Sequence, residues 1–443
     1  MKYKAYPEYK KARLTWLDSV PNKWKTTHVK RFTKFTTGWT PPTENADFFD
    51  GDHLWANISD LGRKFISSTS KTITDMGVKA TRIKKSSKGS LLFSFKLSIG
   101  QVSIVEKEMY TNEAIATFEG SDELYIPYMY WAAPLFIPKN AEENIYGAKL
   151  LNQERIANAP FILPSYAEQL AIANFLDHET AKIDQLIAKQ ETLIELLNEK
   201  RQAVISHAVT KGLNPDVKMK DSGVEWLGEV PEHWGICAMK YLVDEKVAGP
   251  YGASLTKAMY TSSGYKVYGQ QQVIADDFVI GDYFISEEKY QEMERYTIYP
   301  NDVLISVMGT IGKVAVVPES IDKGIINPRL VRYKFDIKNI YPHFVQQLIM
   351  SEKYQKRLKE SSQGSTMEGL NMGILGNLPM VFPDKMEQIN IIEYAKKISR
   401  KYKMAISAAQ NFIQLSQERR SSLISAAVTG KIDVRDWKPK DNS

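Results

Sequence analysis

The segment WLDSVPNKW, Trp16 to Trp24, returns as WLGEVPEHW, Trp226 to Trp234, at an offset of 210 residues. Ser98-Ile99-Gly100-Gln101-Val102 realigns with Thr310-Ile311-Gly312-Lys313-Val314 at an offset of 212. Leu151-Asn152 matches Leu370-Asn371, Pro164 matches Pro383, Glu168-Gln169 matches Glu387-Gln388, and Ala208-Val209-Thr210 matches Ala427-Val428-Thr429, all at 219. An offset that drifts upward while the order of matches is kept marks one unit of roughly 210 residues, duplicated and then varied by short insertions in surface loops. The chain is therefore expected to be pseudo-two-fold, a form suited to a target with two separated halves.

Composition narrows the class. The 443 residues are 43% hydrophobic and 25% charged, as in folded globular protein with room for two or more cores. A net charge of +6 and a pI near 8.9 permit a nucleic-acid partner without demanding one. The single cysteine, Cys237, excludes an intramolecular disulfide and a multi-cysteine zinc site, which fits a reducing cytoplasm. The opening MKYKAYPEYKKAR lacks the apolar core of a signal peptide. The apolar run Leu124 to Pro138 carries three prolines and is too short to span a bilayer, so no membrane association is expected and the run reads as a buried helix against a sheet.

Each copy divides into two parts. Residues from about 20 to 163 and from about 230 to 382 alternate β-rich runs, such as SLLFSF and DVLISVMG, with glycine and asparagine turns. After Pro164 and Pro383 follow long segments without proline or glycine. Ile183, Leu186, Gln190, Leu193, Leu197, Lys200 and Val204 recur at alternating steps of three and four in the first. Ile391, Ala395, Ile398, Tyr402, Ala405, Ala409, Phe412, Ser416, Arg419 and Leu423 do so in the second. These heptad seams predict two long helices that pair with each other. In an antiparallel pair centred on both helices, facing residue numbers should sum to about 595, placing Ile183 near Phe412 and Leu197 near Ile398. Glu191, Glu195 and Glu199 would then oppose the lysines and arginine of the segment Lys396 to Lys403.

At this point the chain resembles the specificity subunit of type I restriction-modification systems, in which two conserved helices separate two variable target-recognition domains. The resemblance rests on TGWTP at Thr37, GDHLWANISDL at Gly51, TITDMGVK at Thr72, GSLLFS followed by SIG at Ser98, TNEAI at Thr111, LPSYAEQLAIANFLD at Leu163 and EKRQAVISHAVTKG at Glu199. The second copy supplies GPYGASL at Gly249, VYGQQQVI at Val267, NDVLISVMGTIGKVAVV at Asn301, FPDKMEQI, and QERRSSLISAAVTGKID. PYGASL where the first copy has GWTPP indicates two recognition subtypes. The implied fold is α+β: two pseudo-symmetric globular target-recognition domains joined by two long antiparallel coiled-coil helices. Its segments would be 1–164 and 213–382 for the domains, 165–212 and 383–430 for the helices, and 431–443 for a tail. The resemblance also implies partners: double-stranded DNA, two methyltransferase subunits carrying S-adenosylmethionine, and restriction subunits that translocate DNA with ATP and Mg. No cofactor is expected in this chain.

Motifs for catalysis are missing. GTIGKV at Gly309 lacks the length of a phosphate loop and reads as a strand turn. Asn327-Pro328-Arg329-Leu330 lacks the aromatic that an adenine methyltransferase stacks on a flipped base. Pro215-Asp216 followed by Asp244-Glu245-Lys246 imitates a nuclease pattern at loose spacing, with Asp216 in a linker, and the six histidines show no metal spacing.

What remains is binding chemistry. Lys79, Arg82, Lys84, Lys85 and Lys88 form a strip without acidic residues, suited to phosphates. Arg63 and Lys64 after the ISDL motif are candidates for base edges, since arginine grips guanine with two hydrogen bonds. Thr37, Trp39 and Thr40 either shape a loop at the DNA or pack. In the second copy, Tyr265, Lys266, Tyr268, Gln270, Gln271 and Gln272 read as a strand whose glutamines could grip adenine, and Tyr251 and Lys313 complete the set. The sequence thus reads as a non-catalytic DNA-recognition subunit with a bipartite asymmetric site. The rivals are a stand-alone methyltransferase or nuclease, disfavoured by the missing motifs, and a protein-only coiled-coil scaffold, for which duplicated β-rich globules would serve no purpose.

Overall fold

The computed structural model describes residues 3–143, 147, 149–362 and 369–439, so the tail beyond 439 lies outside the described residues. The chain forms two compact units, Met1–Gln190 with Asn411–Ser443, and Glu191–Gln410. Unit 1 holds a five-stranded sheet of β1 (Phe35–Thr37), β2 (Phe65–Ile66), β3 (Leu91–Ser94), β4 (Val102–Val105) and β5 (Ile115–Phe118), in the order β1-β5-β3-β4-β2. Strands β3, β4 and β5 are buried on both faces. Helix α1 (Asp75–Thr81) carries Lys79, the first basic residue of the Lys79–Lys88 strip. The apolar run forms α2 (Ile126–Phe136), whose Tyr128, Met129 and Phe136 join Phe93 and Phe118 in the core. Unit 2 repeats the plan with β6 (Val243–Ala248), β7 (Val303–Ser306), β8 (Val314–Val316) and β9 (Leu330–Phe335), in the order β6-β9-β7-β8.

Two helices match the proline-free segments, α3 (Tyr166–Lys211) and, after α4 (Gln270–Ala275), α5 (Pro342–Ile349) and α6 (Glu352–Ser362), the closing α7 (Lys385–Val428). Both starts are capped from the sequence. Ser165 and Glu168 exchange side-chain-to-backbone hydrogen bonds, a capping box, and Asp384 accepts the Glu387 N–H at 2.9 Å. The next residue does more. Gln169, fully buried, accepts the Tyr125 N–H ahead of α2 and donates to the Glu123 and Pro164 carbonyls. Gln388 makes the same three bonds to Tyr341, Asn339 and Pro383. Trp24 and Trp234, from the repeated hairpin motif, donate their indole N–H to Glu168 and Glu387. The Glu-Gln repeat thus locks each long helix to its globule.

In unit 1 the early turns of α3 share a core with the late turns of α7, through Ile172, Phe175 and Leu176 with Ile424, Ala427 and Val428. In unit 2 the late turns of α3, Ile205 and Val209, share a core with the early turns of α7, Ile391 and Ala395. The helices are therefore antiparallel. The seam, however, is phased differently from the expected one. Ile183, Gln190, Leu197 and Val204 are covered, whereas Leu186, Leu193 and Lys200 are exposed and Ile187, Ile194 and Arg201 take their places. In α7 the covered residues are Ile406, Ile413 and Arg420 in place of Ala405, Phe412 and Arg419. Steps of four-then-three and three-then-four share the same mean period, so alternate positions slip by one residue without disturbing the rest. The register moves too: Arg420 pairs with Asp184 at 2.8 Å, numbers that sum to 604. Helical side chains lean toward their own N-terminus, so the facing backbones sum to somewhat less than that. Lys396 pairs with Glu393 of its own helix and not with the acidic stretch of α3.

The SIG and TIG matches mark one loop built twice. Ser94 Oγ accepts the Gln101 N–H and donates to the Ser98 carbonyl; Ser306 Oγ accepts the Lys313 N–H and donates to the Thr310 carbonyl. GTIGKV is thus a strand turn between β7 and β8. At its tip Gly309 has φ +68°, and at the same place in unit 1 Leu97 has φ +58° with 93% of its surface exposed. Glycine adopts that conformation freely, whereas leucine meets its own carbonyl there.

Two outcomes follow for unfolding in urea. Gln388→Leu strands three polar backbone groups and is expected to lower stability by about 3 kcal/mol or more. Leu97→Gly relieves a left-handed leucine and is expected to leave stability unchanged or raise it by up to about 1 kcal/mol.

Candidate nucleic-acid interface

The end of the unit 1 sheet that bears the Ser94 loop also receives the chain leaving β1 and entering β5. Thr37 is followed by Gly38, where a Cβ would lie 1.9 Å from the Thr111 carbonyl oxygen. Only glycine permits that approach, and it brings the Trp39 N–H to the same carbonyl at 2.9 Å. Trp39 is fixed by backbone bonds at both ends, since its carbonyl accepts the Trp55 indole N–H, yet its own ring is 58% exposed. Asn112 closes the approach to β5 by accepting the Ala114 N–H.

Unit 2 is built the same way. A Cβ on Gly249 would lie 2.0 Å from the Asn327 carbonyl oxygen, and Asn327 accepts the Arg329 N–H at 3.0 Å. Tyr251 follows with 61% of its surface exposed. The framework is common while the residues it carries differ: Leu97 against Gly309, Trp39 one residue past Gly38 against Tyr251 two past Gly249, and buried Ala114 against exposed Arg329. Arg329 contacts the Gln270 side-chain oxygen at 3.4 Å, and Gln270 donates to the Met308 and Thr310 carbonyls of the repeated loop. This places Gln270, Arg329 and the Gly309 loop together, with Lys313 lining an adjoining cleft of about 660 Å³ beside Gln355, Lys356 and Lys359. The sequence alone does not mark Arg329, because Asn327-Pro328-Arg329-Leu330 reads as an incomplete methyltransferase motif. Its match to Asn112-Glu113-Ala114-Ile115 was the available signal.

Several expected contacts turn inward. Gln270, Gln271 and Gln272 lie on α4, not on a strand. Gln272 is fully buried, accepting the Gly269 N–H and donating to the Ile280 carbonyl. Lys266 is 5% exposed and its ammonium is spent on the Phe278 and Val279 carbonyls. Tyr268 is sealed in the core with its hydroxyl on the Asp322 carbonyl, and burial raises its pKa. Tyr265 stacks on Tyr290 at 4.0 Å. Gln271 alone of the three glutamines is exposed.

In unit 1, Lys64 forms an ion pair with Asp177 of α3 and lies over the Tyr130 ring, so it ties sheet to helix, while Arg63 is exposed. Thr37 and Thr40 hold Gln153 and Glu113. Lys79, Arg82, Lys84, Lys85 and Lys88 are all exposed. Arg82 caps α1 in a left-handed conformation, and Lys85 reaches Glu108 at 3.5 Å. Lys84 lines a cleft of about 390 Å³ with Lys30, Lys34 and Glu119, at the opposite end of the sheet from the Trp39 loop. Three lysines around one carboxylate leave that cleft net positive.

The acidic words of the nuclease-like pattern have other duties. Glu245 of that pattern pairs with Arg332, itself 2% exposed, which also binds Asp302 from outside the pattern. Burial holds the Asp302 carboxyl above its ordinary range, against the opposing pull of the Tyr299 N–H and Arg332. Among the described residues no group of three or more histidine, cysteine, aspartate or glutamate side chains could hold a metal ion, and no helix is long and apolar enough to cross a membrane.

Comparison with known proteins bears on the same two units. The family model described as type I restriction modification DNA specificity domain matches residues 21–196 and 253–411. The chain is 22% identical over 430 residues to the type I restriction enzyme MjaVIII specificity subunit of Methanocaldococcus jannaschii, covering 94% of each. It is 24% identical over 344 residues to the type I restriction enzyme EcoBI specificity subunit of Escherichia coli, covering 74% of this chain and 70% of that one. A solved structure described as the structural basis underlying complex assembly and conformational transition of the type I R-M system superposes with a TM-score of 0.71 at 14% identity, covering 93% and 99% of the two chains. The crystal structure of the HsdS subunit from Thermoanaerobacter tengcongensis does so with a TM-score of 0.53 at 14% identity, covering 93% and 98%. With the family model matched in both units, in chain order and over most of its length, this chain belongs to the type I restriction modification DNA specificity domain family.

Proposed function

We propose that the chain is the sequence-reading subunit of a type I restriction-modification assembly and that each unit reads one half of a bipartite, asymmetric double-stranded DNA site. The observation that carries this is a duplicated framework with unlike outward residues. Gly38 and Gly249, Asn112 and Asn327, and Ser94 and Ser306 fix the same sheet end twice, while that end presents Trp39 and Leu97 in unit 1 and Tyr251, Gln270 and Arg329 in unit 2. Equal frameworks give equal docking, and unequal side chains give unequal sequences. The exposed lysines of the Lys79–Lys88 strip and the Lys30–Lys34–Lys84 cleft supply phosphate contacts that position without reading. Methylation and cleavage belong, on this proposal, to partners: two methyltransferase subunits carrying S-adenosylmethionine and restriction subunits that use ATP and Mg. The chain itself contributes no catalytic group and acts in the cytoplasm.

Selection of a random duplex library by the purified chain with its methyltransferase subunit, followed by sequencing, is expected to return two short, different blocks separated by an unread spacer. One contiguous block, or no enrichment, would sink the reading. Lys84→Ala with Lys85→Ala is expected to weaken binding to every sequence alike and to reduce the salt slope by about one per lost phosphate contact. Arg329→Ala is expected to relax selectivity at one position of one block, at about 1–3 kcal/mol against the preferred base. The same uniform loss from both changes would remove Arg329 from the reading set.

A further inference from the structure

In unit 1 the hairpin Tyr9–Leu14 and Leu17–Pro21 and the last turns of α7 border an open groove of about 910 Å³, lined by Trp16, Leu17, Asp18, Ser421, Ser425 and Lys431 among others. The repeat offsets find the same surface in unit 2, with Trp226, Leu227 and Gly228 on the hairpin side and Gln202 and Ser206 on α3. There the chain covers itself. Gln202 donates to the Met350 carbonyl at 3.1 Å, Ser206 Oγ accepts the Glu352 N–H at 3.2 Å, and Lys353 Nζ donates to the Leu227 carbonyl at 2.6 Å. Tyr354 sets its ring on Trp226 at 5.0 Å. Helix α6 therefore starts on this surface, its second residue reaching the hairpin and its third filling the core.

Unit 1 completes its core without such a helix. Phe136, at the end of α2, stacks on Trp16 at 5.3 Å, and the chain continues as a short turn of 3-10 helix, Ile137–Asn140. The inner position is thereby filled, while among the described residues nothing covers the outer surface that unit 2 gives to a helix start. Its charges differ: unit 1 has Ser19 and Lys431 where unit 2 has Glu229 and Gly212, and position 18 differs as well. Unit 2 has Gly228, and a Cβ there would lie 3.9 Å from the Lys353 ammonium; unit 1 has the exposed carboxylate Asp18 at the same place.

We propose that the unit 1 groove docks the first turn of a helix from another polypeptide, one with lysine or arginine at the second helical position. Ser425 Oγ caps a backbone N–H of that helix, and the Leu17 carbonyl and Asp18 carboxylate receive the basic side chain. Because unit 2 covers its own copy of the surface, the assembly gains one such contact per chain and not two.

The test uses the full chain and a fluorescein-labelled peptide of Met350–Ser362, held helical by a side-chain lactam between Lys356 and Glu360 and carrying Tyr354→Ala, since Phe136 already fills that place. Anisotropy is expected to show saturable binding of one peptide per chain. Asp18→Lys is expected to weaken it about five- to tenfold, because reversing one exposed pair turns an attraction into a repulsion of similar size. A peptide with Lys353→Glu is expected to prefer the Asp18→Lys chain, and Ser422→Trp, which fills the groove, to abolish binding. Absence of saturable binding overturns the proposal. So does binding that ignores both Asp18→Lys and Ser422→Trp, since the peptide would then sit elsewhere. Self-association of the chain that Asp18→Lys abolishes would assign the groove to a second copy and overturn it equally.

Discussion

One amide at the start of each long helix holds the architecture. Gln169 and Gln388 lie in the interior with all of their polar capacity directed at backbone: an N–H ahead of the helix that packs on the sheet, and two carbonyls on either side of the junction. A glutamine amide offers a donor pair and an acceptor fixed in one plane, so satisfying three backbone groups determines the angle at which helix leaves globule. The indole bonds from Trp24 and Trp234 to the neighbouring glutamates add the N-terminal hairpin to the same joint. Sheet, α2 or α5, hairpin and long helix all meet there, and what faces outward at the far sheet end varies without disturbing it.

The fold was legible in the sequence because duplication turns weak local signals into paired ones. Glu168-Gln169 and Glu387-Gln388 look unremarkable singly, yet at a shared offset they mark the joint, and Ser98-Ile99-Gly100 against Thr310-Ile311-Gly312 marks the repeated loop. The phase of the helix seam was less legible. Leu186, Leu193 and Phe412 look like seam residues by hydrophobicity, but Ile187, Ile194 and Ile413 stand beside them and are the ones covered. Adjacent apolar residues leave the order of three- and four-residue steps undetermined, and packing selects it.

The interface was legible by region and poorly by residue. Lys266 looked available because lysine is seldom buried, but a strand between aromatic neighbours directs it inward, where two carbonyls at Phe278 and Val279 receive all it offers. The glutamine run looked like strand after Val267 and Tyr268; Gly269 ends the strand and Gln272 caps a helix. Arg329 and Leu97 were overlooked for the opposite reason, since neither belongs to a charged or polar cluster. They stand out only when each unit is laid on the other, Arg329 over a buried alanine and Leu97 over a glycine.

The way the chain is divided between the units also dictates an order of events during synthesis. Unit 2 is one continuous stretch, whereas unit 1 needs Asn411–Ser443 to supply Ile424, Ala427, Val428 and Ile432 to a core that already contains Val20, Trp24 and Phe175. At about 5–20 residues per second, roughly twelve to fifty seconds separate the emergence of Phe175 from that of Ile424. The N-terminal piece therefore waits with an apolar face uncovered while the unit encoded after it closes first. A chaperone, or a helix borrowed from another chain, has that interval in which to act.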